Sequence, residues 1–139
     1  VAQSLLKAFR YTTEKRKERM LVCLACHEGR LATLLETAEE LRLFEVTPQG
    51  AAAHGVLPGP ARTSRTLAGL LCGKGVAALV CGGLTRADHA ALSRCGVSVH
   101  AWLAGGIPEI LEALRAGRLD RMLMPGCSAE GWGESPDEG

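Results

Sequence analysis

Aromatic side chains are scarce in this chain: two Trp, one Tyr and two Phe among 139 residues. So few rings do not build the stacking platform that single-stranded nucleic acid requires. Charge of one sign is lacking too. Sixteen Lys and Arg stand against fifteen Asp and Glu, a formal net charge of +1, which sets up no field able to hold a polyanion. Nucleic acid is therefore not an expected partner. No apolar run approaches a membrane span, and residues 1–20 hold no apolar core of a secretion signal. The expectation is a cytoplasmic protein with reduced thiols and no membrane contact. With 47% hydrophobic residues, the composition is that of a globular protein rather than a disordered one.

What the chain does have is glycine and cysteine. The six cysteines are Cys23, Cys26, Cys72, Cys81, Cys95 and Cys127. Most sit in apolar runs, where a thiol behaves as a small hydrophobe: Cys72 and Cys95 read as helix residues that pack, and Cys23 as a buried strand residue. The hydrophobic pattern starts at Met20 and fades after Leu119, so the domain is expected over 20–119. Residues 1–19, with the charged run Lys15-Arg16-Lys17-Glu18-Arg19, read as an N-terminal extension, helical or disordered. Residues 120–139 read as a C-terminal tail carrying Met124-Pro125-Gly126-Cys127.

Within 20–119 the pattern alternates. Met20–Cys26 is a continuous apolar run of strand length, as for a strand buried on both faces. Leu31, Leu34, Leu35 and Ala38 follow helical spacing and predict a short helix. Leu41–Thr47 predicts a second strand, with Phe44 out of phase. Pro48-Gln49-Gly50 predicts a turn into an antiparallel third strand over Ala52–Leu57. Thr63 or Ser64 caps a helix with Leu67, Leu70 and Leu71 inward, closed by Gly73 and Gly75. Val76–Cys81 is again fully apolar. Thr85 and Asp88 resemble a capping box, opening a helix with Ala87, Ala91, Leu92 and Cys95 inward. Val97–Leu103 predicts a strand. Pro108 opens a last helix whose stripe is Ile107, Ile110, Leu111 and Leu114, capped by Gly117. A hairpin followed by helix, strand, helix, strand, helix predicts an α/β protein: three layers, a mixed sheet with helices on both faces.

In such sheets ligands sit beyond the carboxyl ends of parallel strands. Three loops leave those ends: Cys26-His27-Glu28-Gly29-Arg30, Cys81-Gly82-Gly83-Leu84-Thr85-Arg86 and Ala104-Gly105-Gly106. Glycines let a backbone approach a ligand, helix N-termini favour anions, and Arg30 and Arg86 add positive charge. The candidate binding residues are His27, Arg30, Gly82, Gly83, Thr85, Arg86, Gly105 and Gly106, for a small anionic group.

Cys23-Leu24-Ala25-Cys26-His27 matches the C-x-x-C-H pattern of covalent haem. Yet residues three apart on a strand point to opposite faces, so covalent haem is not expected. A redox C-x-x-C pair opens a helix, which this one does not. Zinc would need a second ligand pair, and none recurs. A metal–sulfur cluster could draw on Cys26, His27, Cys81 and Cys127 if folding brings them together. Asp88 and Glu109 are explained as helix N-terminal acids. His54, His89 and His100 read as packing or solvated residues. No carboxylate pair or Ser-His-Asp order suggests hydrolysis, so no catalytic residue is expected. An enzyme acting on a small anion would have only His27 or His89 as a base.

From Val76 to Gly117 the chain runs strand, Cys-Gly-Gly turn, helix, Cys-Gly-Val-Ser-Val strand, then Gly-Gly-Ile-Pro-Glu-Ile-Leu-Glu-Ala-Leu-Arg-Ala-Gly. This stretch resembles the dinitrogenase iron–molybdenum cofactor biosynthesis family. Met20–Arg30, Ala38–Val46 and Thr66–Cys72 fit as well, so the resemblance spans about 100 residues, 20–119. Met124-Pro125-Gly126-Cys127 looks like a tail of some family members. Where the family often carries a Ser-x-x-Phe-Gly-Arg-Ala stretch, this chain has Leu34-Leu35-Glu36-Thr37-Ala38. The resemblance implies a ribonuclease-H-like fold without nuclease activity. It also implies non-enzymatic binding, carriage or assembly of a metal–sulfur cluster containing Mo, Fe or related metals, not covalently attached. His27, Arg30 and Cys81 through Arg86 are the implied site. Cys26, Cys81 and Cys127 are the candidate metal ligands. The expected partners are the cluster or its precursor and cluster-assembly or acceptor proteins, with the chain a monomer or weak homo-oligomer. The alternative is an interaction or regulatory module that keeps the fold without a cluster.

Overall fold

The computed structural model describes residues 19–59 and 63–126. All of the expected N-terminal extension except Arg19, and residues 127–139 of the tail, Cys127 among them, lie outside the described residues. The elements are β1 (Met20–His27), β2 (Arg30–Leu31), β3 (Glu40–Thr47), β4 (Gly50–Pro58), α1 (Ser64–Gly73), β5 (Val76–Val80), α2 (Arg86–Arg94), β6 (Ser98–His100) and α3 (Ile107–Ala116). Single 3-10 turns cover Leu35–Thr37 and Leu119–Met122.

The strands form one open mixed sheet in the order β4-β3-β1-β5-β6, with the short β2 folded back on β1. β1 runs parallel to β5, and β5 parallel to β6. β3 and β4 are the antiparallel hairpin read from Pro48-Gln49-Gly50. β1 is central, which explains its unbroken apolar run: Val22 through Ala25 are wholly buried. Its even-numbered residues, with Phe44 and Val46 of β3 and Ile107, Ile110 and Leu114 of α3, make one core. Its odd-numbered Cys23 and Ala25 join Leu41 and Leu43, Leu67 and Leu71 of α1, and Leu92 of α2 on the other face. The helices thus cover both faces, as the alternation predicts. Phe44 is out of phase because β3 is covered on one face near Leu41 and on the other near Val46.

The caps follow the sequence. The Thr63 hydroxyl accepts from the Thr66 amide at 3.0 Å, and Thr85 accepts from Asp88 at 3.1 Å. Pro108 lies in the first turn of α3, and Gly117 ends it at φ 72°. Asp88, however, spends its carboxylate on the Ser64 hydroxyl of α1.

Four expectations are corrected. Leu31–Ala38 is not a helix but an extended segment with one 3-10 turn. Its amides bond to other segments instead of within a helix: Ala32 to Ala25 of β1 and Leu35 to Gly83 in the loop after β5. The strand expected over Val97–Leu103 shortens to Ser98–His100, since Trp102 takes a left-handed φ of 64° that no strand accommodates. Ala87, Cys72 and Cys95 are exposed rather than packed. Finally, the chain stays on the domain past Leu119: Leu119 is buried, and Leu123 bridges Leu103.

Candidate functional site at the carboxyl edge of the parallel strands

The three loops meet. The Leu31 amide donates to Gly105 O at 2.9 Å and the Ile107 amide to Gly29 O at 3.2 Å, joining the loops after β1 and β6. The Gly83 amide donates to Thr33 O at 2.8 Å, and Leu35 returns a bond to Gly83 O at 2.7 Å. The Trp102 amide donates to Gly82 O at 2.9 Å. Backbone bonds thus stitch the segments around His27–Leu35, Gly82–Gly83 and Trp102–Ile107 into one edge.

The glycines are used for this stitching. A side chain at Gly82 would overlap the carbonyl oxygens of Ala32 and Thr33, and one at Gly83 would overlap the Trp102 ring. At Gly105, with φ 148°, a Cβ would meet Met122, and at Gly106 the Glu109 carboxylate. Gly82 and Gly83 thus admit close approach, as the sequence implies, but the approaching groups belong to this chain.

Around that stitched floor stand the polar candidates. His27 is half-exposed at the end of β1, its Nδ1 3.3 Å from a Glu39 carboxylate oxygen and its Nε2 3.8 Å from Glu28. Arg30, Thr85 and Arg86 are exposed. His89 is part-buried on α2, and burial lowers its pKa from the usual value. Glu28, at φ 52° in the tight turn from β1 to β2, and Glu39 are residues that sequence reasoning missed beside His27. The signal for Glu39 is pairing: its amide bonds to Cys26 O at 2.9 Å.

The thiols lie differently from the imidazole. Cys26 is 1% exposed and packs in the core on the α3 face, donating to Leu24 O at 3.3 Å. Burial pushes its pKa up to about 11, against the opposing pull of Arg42. Cys81 is wholly buried in the core on the α1 and α2 face. Burial pushes its thiol up as well, with Cys23 and Asp88 adding to the rise. Both are neutral thiols at neutral pH in this conformation. The sheet separates Cys26 from Cys81; the neighbour of Cys81 is Cys23, which strand parity and the β1–β5 pairing could have indicated. Among the described residues no group of three or more His, Cys, Asp and Glu side chains is gathered as for a metal ion.

The fold and this edge define an open mixed α/β sheet protein with three loops joined beyond its parallel strands. No protein-family model matches the chain, and no curated protein matches it. Solved structures do. PH0822 matches with a TM-score of 0.64 at 15% identity, covering 72% of this chain and 94% of that one. A protein called "putative dinitrogenase" from Methanocaldococcus jannaschii matches with a TM-score of 0.58 at 10% identity, covering 74% of this chain and 94% of its own. A "putative NifB protein" from Thermotoga matches with a TM-score of 0.58 at 19% identity, covering 81% and 99%. At these identities the likeness is one of fold.

Proposed function

We propose that the protein is a non-enzymatic accessory of the nitrogenase-cofactor type that binds and passes on a metal–sulfur cluster or its precursor. The reading rests on the joining of the three loops at one edge, where Arg30 and Arg86 are exposed and His27 is half-exposed. Support comes from neighbours of the same fold called "putative dinitrogenase" and "putative NifB protein", and from the family resemblance over 20–119, with its ribonuclease-H-like fold. Such clusters are anionic. Arg30 and Arg86 supply countercharge, and the half-exposed His27 supplies an imidazole nitrogen, released from Glu39 when it ligates. Gly82, Gly83, Thr85, Gly105 and Gly106 shape the backbone around the cargo. Cys26 or Cys81 would join as ligands only after the edge loosens, because a thiol becomes a ligand on losing its proton. Cys127 is the third candidate thiol. Cluster-assembly or acceptor proteins are the corresponding partners.

The test is anaerobic preparation with cluster precursors, followed by measurement of bound Mo, Fe, Cu and sulfide. Metal with sulfide in fixed ratio, lost in His27→Ala, supports the reading. Absence of all of them under cluster-replete conditions overturns it.

A second reading, an interaction module without cargo, is favoured by Gly82 and Gly83, whose close approach is already taken by the chain's own Ala32, Thr33 and Trp102. A stable protein partner retained by Cys26→Ala and Cys81→Ala would select it.

A further inference from the structure

α1 and α2 lie side by side and point the same way. At their N-terminal ends the Ser64 hydroxyl donates to the Asp88 carboxylate. At their C-terminal ends the Cys72 thiol donates to Cys95 O at 3.4 Å. Ser64 to Cys72 and Asp88 to Cys95 span nearly equal lengths of helix, about 11–12 Å at the usual rise. The two contacts therefore belong to one register and hold it at both ends. The Ser64–Asp88 end adjoins the loop after β5. The cysteine end is the far one, beyond the start of β5.

Cys72 and Cys95 are also both exposed, unlike the buried Cys23, Cys26 and Cys81. A carbonyl oxygen lies about 2.4 Å from its own Cα, so the Cys72 sulfur lies within about 6 Å of Cys95 Cα. A sulfur that close to the partner's backbone puts the two thiols within reach of a disulfide by side-chain rotation and a small adjustment of the turn at Cys95. Cys95 is the C-cap of α2 at φ −89° and ψ 5°, and Gly96 follows at φ 85°, so its neighbourhood is a turn able to take small adjustments.

We propose that Cys72 and Cys95 are a modification site: a dithiol that closes to a disulfide clasping the C-terminal ends of α1 and α2. The co-reactant is a low-molecular-weight disulfide. One protein thiolate attacks it, a protein–small-molecule disulfide forms and one small thiolate leaves. The second protein thiolate attacks the protein sulfur of that bond, the protein disulfide forms and a second small thiolate leaves. The protein dithiol gives up two electrons and two protons, and the small disulfide is reduced to two thiols.

The full chain is incubated natively with oxidised glutathione, and its peptides are mapped by mass without reduction. The expected product is a Cys72–Cys95 linked peptide lighter by two hydrogens, with Cys23, Cys26 and Cys81 unmodified. Its unfolding midpoint rises by roughly 5–10 °C, returning on reduction. Cys72→Ser, which keeps a donor toward Cys95 O, leaves a stable glutathione adduct on Cys95, and Cys127→Ser closes as the parent does. Separate adducts persisting on both cysteines of the parent would overturn the proposal. So would a linked peptide that pairs either with Cys127 instead. The site lies at the end of the helices away from the cluster-binding edge, so metal and sulfide content is unchanged by closure, and failure of either idea leaves the other standing.

Discussion

Two regions of the sheet use glycine in opposite ways. In the β3–β4 hairpin, Gly50 and Gly55 face open space, and β4 is exposed along nearly its whole length, Val56 included. At the carboxyl edge of β1, β5 and β6, Gly82, Gly83 and Gly105 are crowded by groups from elsewhere in the chain. The same residue type is dispensable at one edge and obligatory at the other. What differs is the approach of a second segment, and sequence composition does not distinguish the two.

The largest test of that contrast is Gly82→Ala. Its Cβ would drive against two backbone oxygens that side-chain rotation cannot move, so a loss of about 3–4 kcal/mol is expected in denaturant unfolding. An unchanged midpoint would mean that the stitched edge yields easily.

His100 tests the closed half by pH. It ends β6 at 3% exposure, and burial lowers its pKa to about 4, with no hydrogen-bond partner at Nδ1 among the described residues. The unfolded chain takes up a proton near pH 6.5, and the folded one only near its depressed value. The folded state therefore loses stability as pH falls below about 6.5, and the loss is complete below the folded value. Between pH 7 and pH 4 the parent should lose about 3 kcal/mol more than His100→Gln. Parallel pH curves for the two would refute the assignment.

Thr85→Ala removes a cap where the edge loop enters α2, and about 1 kcal/mol should go with it in the same unfolding assay. Gly55→Ala, on the open edge, should shift stability by only about 0.5 kcal/mol, upward, because alanine restricts the unfolded chain more than glycine does. A destabilisation by Gly55→Ala comparable to that of Gly82→Ala would erase the distinction between the two regions.

The fold was legible where a local signal carried it. The apolar run of β1, the Pro48–Gly50 turn, the hydroxyl caps at Thr63 and Thr85, and Gly117 each act within a few residues of their cause. Leu31–Ala38 was not legible: helical spacing is present, but its amides are satisfied by Ala25 and Gly83, partners distant in sequence or set by tertiary contact. The edge itself was readable, because parallel strands and the loops after them follow from the alternation. Which thiols share a face was not, since it depends on strand order: Cys23 neighbours Cys81, while Cys26 looks to the other side. Cys72 and Cys95 were misread as packed because helical spacing places a residue on a face without saying how far the neighbouring layer reaches.

The loop-to-loop bonds have a consequence for measurement. The amides of Leu31, Leu35, Gly83, Trp102 and Ile107 are each held by an acceptor from a different segment of the edge. In hydrogen–deuterium exchange they form a set of reporters, since parting the loops releases them while leaving the central β1–β5 ladder protected. A ligand that settles on the closed edge would slow their exchange together. One that must enter between the loops would quicken it, giving the order of opening and binding before any ligand is identified.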